Sequence, residues 1–158
     1  MVRRVDKSIA TVLGVLGALC LLPVAPARAV PNTQCVLTTP VREVRSTSEL
    51  PAELLGLLPR IAEIGAPFNK TDAVNDATLP FRRLIRAGSR GTDWFLWYEH
   101  GGFDYFWQAV VARVTPGEEA KVLANAGTVS DTLCTFTDGV FAGKVPPYPQ
   151  GTWAAAGF

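Results

Sequence analysis

Aromatic positions are densest over residues 92–114, TDWFLWYEHGGFDYFWQAVVARV, where two aromatic-rich runs flank Gly101-Gly102. Aromatic and β-branched residues suit strands, and a Gly-Gly pair between two such runs predicts a hairpin with a two-residue turn. That turn sets His100 opposite Phe103, Glu99 opposite Asp104, Tyr98 opposite Tyr105, Trp97 opposite Phe106 and Leu96 opposite Trp107. One face then carries Trp94, Leu96, Tyr98, His100, Phe103, Tyr105 and Trp107. The other carries Phe95, Trp97, Phe106 and Val110 and ends in Glu99 and Asp104. The face assignments hold only for this register, because a slip of one residue exchanges the faces.

Outside the hairpin the pattern changes. Leu50, Leu54, Leu57, Leu58, Ile61 and Ile64 recur at helical spacing behind Ser48, with Pro51 in the first turn, Pro59 as a kink and Gly65 as the stop. Before it, residues 30–47 contain Pro31, Pro40 and short β-prone pieces, which predicts an extended arm or edge strand. Residues 66–78 turn to Pro, Asn, Asp and Thr and read as a loop. Over residues 79–87 a helix begun by Pro80 competes with a strand in which Phe81, Arg83, Ile85 and Ala87 alternate. The turn-forming GSRG after it favours the strand. Thr115-Pro116-Gly117 ends the hairpin, residues 120–126 supply a further strand, and Ser130-Asp131 cap a second helix stopped by Gly143. The expected fold is a single α+β domain: an antiparallel meander of about four strands with two helices packed on one face.

The first residues change how composition is read. Arg3, Arg4 and Lys7 precede an uncharged apolar run over residues 9–22, followed by Ala27-Arg28-Ala29. This is the pattern of a Sec-type secretory signal, residues 1–29, and the run is shorter than the roughly 20 residues that span a bilayer. Its removal takes Arg3, Arg4, Lys7 and Arg28 but only Asp6, so 15 Lys+Arg and 14 Asp+Glu become 11 and 13, a net charge of −2. Such a balance offers no footprint for nucleic acid, the only basic grouping being Arg82, Arg83, Arg86 and Arg90. Cys20 leaves with the signal, so Cys35 and Cys134 remain and are expected to form one structural disulfide across the domain at residues 30–144. Residues 145–158, rich in Pro, Gly and Ala, read as a tail without a core of their own.

Candidate chemistry is sparse. Glu99, His100 and Asp104 are the one constellation resembling an acid/base site, since opposed carboxylates can raise one pKa and His titrates near neutrality. His100-Gly101-Gly102 is not accompanied by the GxSxG nucleophile motif of lipases and esterases. The carboxylates and amides of residues 69–76 lack the spacing of a calcium loop, a single His gives zinc no ligand set, and no phosphate-binding Gly-rich loop is present. No metal or cofactor is therefore expected. Two readings of the aromatic hairpin remain: a core on both faces, or a face of Tyr98, His100, Phe103, Tyr105 and Trp107 left open for a ligand or partner protein.

Sequence alone thus points to an exported, periplasmic or secreted, non-enzymatic binding protein such as an inhibitor, immunity or accessory factor, with no membrane span after signal removal. The alternatives are a small hydrolase using Glu99, His100 and Asp104, and a structural envelope component. Export is checked by intact mass: the mature protein should begin at Val30, and a chain retaining residues 1–29 would refute cleavage there.

Overall fold

The computed structural model describes residues 33–58, 60–128 and 133–144. The expected signal at residues 1–29, the expected Ser130-Asp131 cap and residues 145–158 lie outside them. Five strands form one antiparallel sheet in sequence order: β1 (Arg42–Val44), β2 (Arg82–Arg90), β3 (Asp93–His100), β4 (Phe106–Arg113) and β5 (Lys121–Thr128). The α+β meander is as expected, with the 30–47 arm supplying the edge strand β1 and residues 82–87 of the ambiguous 79–87 stretch lying in strand β2. Residues 88–90 continue β2, so the turn contracts to Gly91-Thr92 between the paired Arg90 and Asp93. Gly91 has a φ of 61°, which a two-residue hairpin turn of the Gly-X kind requires at its first position. After β4, Pro116 and Gly117, the latter at φ 78°, form a turn closed by the Glu118 amide donating to the Thr115 carbonyl at 3.0 Å.

The first helix differs most from expectation. A 3-10 turn at Thr47–Glu49 is followed by a single short helix, α1 (Ala52–Gly56), and Ala62 is already extended, bridging in parallel to Arg83. Pro51 stands in extended geometry between the two turns, and the chain leaves α1 before Pro59, so the long helix through Ile64 does not form. Leu50, Leu54 and Leu58 are buried all the same, with Ile61 packed beside them, whereas Ile64 is exposed. The leucine spacing records a buried surface built from turns rather than from one helix.

The helices sit one on each face of the sheet instead of together on one. The α1 side packs Leu50, Leu54 and Leu58 against Leu84, Ala87, Leu96, Tyr98, Val110 and Ala112. The α2 side packs Leu133, Val140 and Phe141 of α2 (Leu133–Phe141) against Phe95, Trp97, Trp107, Ala109, Val111 and Ala124. Ile85 and Leu123 are each an extra residue without a cross-strand partner, one in β2 and one in β5. Both bulges turn their side chains toward the α2 side. The Trp97 indole N–H donates to the Thr137 hydroxyl of α2 at 2.9 Å, so the largest polar-tipped core side chain is satisfied in the interior. Gly143, at φ 68°, ends α2 in a paired closure: its amide reaches the Val140 carbonyl, and that of Lys144 reaches Gly139, both at 2.9 Å.

Cys35 and Cys134 form the expected disulfide, joining the N-terminal arm to α2. A second tie reinforces it. The Asp138 carboxylate of α2 accepts the backbone N–H groups of Thr38 and Thr39 at 2.9 and 3.0 Å. Burial pushes this carboxyl up, but the two amides outweigh it and hold it below the ordinary range. At the surface Glu63 is held low in the same sense by the Thr47 hydroxyl and amide. A carboxyl whose folded pKa lies below its unfolded value stabilises the fold above the unfolded pKa and loses that contribution as pH falls through the folded one. Asp138→Asn should therefore lower stability at neutral pH by about 1 kcal/mol, the value of such bonds after allowance for solvent screening. The difference from wild type should shrink below about pH 4. Thermal melts at pH 7 and pH 3 check this, and a gap of equal size at both would disprove the clamp.

Candidate functional site

The β3–β4 connection decides where every candidate residue lies. His100 pairs with Phe106, Glu99 with Trp107, Tyr98 with Gln108 and Leu96 with Val110, so the loop comprises residues 101–105 rather than two glycines. Against the expected pairing the β4 partner moves by three residues, an odd number, and each β4 side chain changes face. Trp107 joins Trp97 and Glu99 on the α2 side, while Tyr98 and His100 share the α1 side with Gln108 and Phe106.

The loop has this length because the glycines serve a different contact. The segment carrying Asn69 and Lys70 folds against Gly101, where a Cβ would collide with the Asn69 carbonyl oxygen and fall 2.8 Å from the Lys70 Cα. The Gly101 amide donates to the Phe81 carbonyl at 2.7 Å, and that of Gly102, at φ 113°, to the Lys70 carbonyl at 3.3 Å. Asn69 is buried, its side-chain amide donating to the carbonyls of Asp76 at 2.8 Å and Leu79 at 3.0 Å, while Asp76 caps Thr78. The polar loop is thus internally bonded. Among the described residues no group of three His, Cys, Asp or Glu could hold a metal ion.

On the α2 side the hairpin end carries a connected network. Arg83 Nε donates to Glu99 Oε2 at 2.5 Å, and its Nη1 donates to the Ala66 carbonyl at 3.2 Å. The Tyr105 hydroxyl donates to Glu99 Oε1, so both carboxylate oxygens are engaged. Burial, then the hydrogen bond and charge of Glu99, push the Tyr105 phenol far above its usual range, with Arg83 opposing. It remains a proton donor at every physiological pH. The Tyr105 ring meets Trp107 edge-on at 5.1 Å, Lys70 Nζ lies 4.3 Å over it, and Arg83 stacks over Phe68 at 4.4 Å. Lys70, Arg83, Ile85, Glu99, Tyr105 and Trp107 line a cleft of about 690 Å³.

On the α1 side His100 stacks on Phe106 at 4.7 Å, and Arg82 pairs with His100 across the strands. Burial, and then the Arg82 charge, hold the imidazole below its ordinary range, so it is neutral at neutral pH. Phe103, at the loop tip, is 91% exposed, and Asp104 beside it is also exposed.

Glu99, His100 and Asp104 are therefore not brought together: Glu99 and His100 point to opposite faces and Asp104 stands in the loop. Of the five candidate binding residues, Tyr98 and Trp107 are core, with exposures of 0% and 6%, and Tyr105 lines the cleft. Sequence reasoning missed Lys70, Arg82 and Arg83 as parts of the hairpin end. The strand alternation of residues 82–87 held the signal for Arg83, since antiparallel pairing with the Glu99 strand sets a basic residue opposite an acidic one. No protein-family model matches the sequence, and no match is found among curated proteins or solved structures. Among the described residues no helix is long and apolar enough to cross a membrane.

Gly101→Ala should destabilise the protein by about 1–3 kcal/mol, because the added methyl meets backbone that cannot move aside cheaply. Gly56→Ala, where a methyl meets open space inside a helix, should be neutral or stabilise by up to about 1 kcal/mol. Denaturant midpoints of the two variants check both, and tolerance of Gly101→Ala would show that the close approach of residues 69–70 is dispensable.

Proposed function

We propose that this chain is an exported, non-enzymatic protein that binds a ligand or partner protein in the cleft beside the hairpin end, as an inhibitor, immunity or accessory factor would. The observation that carries the reading is the cleft: a tyrosine ring edge-on to a buried tryptophan, flanked by Lys70 and by the Arg83–Glu99 pair. Tyr105 offers a flat apolar ring whose polar tip is already bonded, which lowers the cost of covering it. The basic, apolar and small-residue order of residues 1–29 supports export. Nothing favours a hydrolase, since Glu99 is occupied by Arg83 and Tyr105 and His100 faces the other way.

Pull-down from the compartment to which the protein is exported tests this reading. Wild type should recover a specific partner or ligand that both Tyr105→Ala and Lys70→Ala lose by about tenfold or more, with melting temperatures within a few degrees of wild type. Trp107→Ala is unsuitable, because truncating a core aromatic costs about 3–5 kcal/mol. Undiminished recovery by both cleft variants would reject the cleft as the binding surface.

A further inference from the structure

Four arginines lie along β2, and three have acidic partners: Arg83 with Glu99, Arg86 with Glu43 and Arg90 with Asp93. Arg82 is the exception. It is 7% exposed, its Nε is buried without a hydrogen-bond partner, and among the described residues no carboxylate pairs with it. Its neighbours on the α1 side share the condition. The Tyr98 hydroxyl, on a fully buried residue, and both ring nitrogens of His100 also lack partners. Native interiors leave only a few such groups per hundred residues, since each forfeits hydration without replacement, and seldom leave them side by side. Here four such atoms belong to three residues brought together by one stretch of β2–β3 pairing, Arg82 to His100 and Leu84 to Tyr98.

Two of these residues adjoin open space. Arg82 and His100 line a second cavity of about 490 Å³, on the opposite side of the hairpin from the Tyr105 cleft, together with Phe81, Gly101, Gly102, Phe103 and Asp104. The lining offers the Arg82 guanidinium and one N–H of a neutral imidazole as donors, with a single permanent positive charge, while the Tyr98 phenol is buried behind them against Arg82. The mouth offers two phenylalanine rings. Asp104 is also at the rim, exposed, and works against an anion rather than for it.

We propose that Arg82 and His100 form a binding site for an organic monocarboxylate, the carboxylate taking their N–H groups and the apolar body lying along Phe81 and Phe103. One cation matches one negative charge, and a carboxylate has lone pairs enough for both donors. The aromatic rim distinguishes an organic acid from an inorganic anion, which would gain nothing from it. The assignment is independent of the Tyr105 cleft, because the two cavities lie on opposite faces and share no lining residue.

Hexanoate is a suitable probe, with its neutral amide hexanamide and inorganic phosphate as comparisons, titrated into the millimolar range while side-chain NMR signals of Arg82 Nε and His100 are followed. The expected result is saturable binding of hexanoate, with hexanamide and phosphate each weaker by about tenfold or more. Arg82→Met should remove binding and His100→Phe weaken it, each retaining the fold because each replaces an unpartnered polar group by an apolar one of similar size. Asp104→Asn should tighten binding, and Tyr105→Ala should leave it unchanged. Absence of saturable hexanoate binding would overturn the proposal. So would equal binding of hexanamide, which would mark an apolar patch only, or equal binding of phosphate, which would mark an unselective anion site. If a variant fails to fold, the comparison of the three probes on wild type still decides.

Discussion

The constraint on which this structure depends is that β3 has no face to give to water. Phe95, Leu96, Trp97 and Tyr98 are consecutive and fully buried, so alternate residues demand cover on both sides of the sheet at once. Among the described residues there is one sheet and no second one to provide it. The chain places one short set of helical turns against Leu96 and Tyr98 and a nine-residue helix against Phe95 and Trp97. Neither cover is extensive, which explains why the second is tied so heavily. Thr137 holds the Trp97 indole, Cys134 is bonded to the arm, and Asp138 grips the amides beside it.

Much of this architecture follows from local chemistry legible along the chain. Aromatic and β-branched runs gave strands, Pro116-Gly117 gave a turn, and Cys35 and Cys134 gave one crosslink. The assignment of helices to faces was not legible, because a helix's own apolar stripe says that it packs but not on which side. When both sides of the sheet are apolar, pattern offers no preference. The leucines of residues 50–58 carried a further ambiguity. Helical spacing buries them, but a 3-10 turn, an extended proline and one helical turn bury the same residues, and only the prolines distinguish the two.

The hairpin end was misjudged for a physical reason of wider use. Gly-Gly between two strands is a strong local signal for a two-residue turn, because glycine tolerates positive φ. Glycine also allows backbone to approach backbone, and at Gly101 that second property governs: the polar loop bearing Asn69 and Lys70 occupies the space a side chain would need. Approach of a distant segment leaves no trace in the local sequence. Its consequence is large, since a loop longer by three residues moves each β4 side chain across the sheet. The catalytic grouping of Glu99, His100 and Asp104 dissolves, and Tyr105 and Trp107 are regrouped with Glu99.

That regrouping gives the two faces of one strand end opposite electrostatic character. On the α2 side a carboxylate, a guanidinium and a phenol satisfy one another, and the network holds Tyr105 in place at the edge of an open cleft. On the α1 side a guanidinium and an imidazole keep unpartnered nitrogens beside an open cavity with no carboxylate to pair them, and burial drives the phenol of Tyr98 behind them up and the imidazole of His100 down, each toward its neutral form. Stability alone would favour exchanging these three side chains for apolar ones, since an unmet buried donor costs more than a well-packed methyl group. The satisfied network is what a fold needs to hold a surface still. The unsatisfied one lacks an acceptor that the described residues do not supply, and its position beside an aromatic-rimmed cavity makes an external acceptor the economical physical explanation.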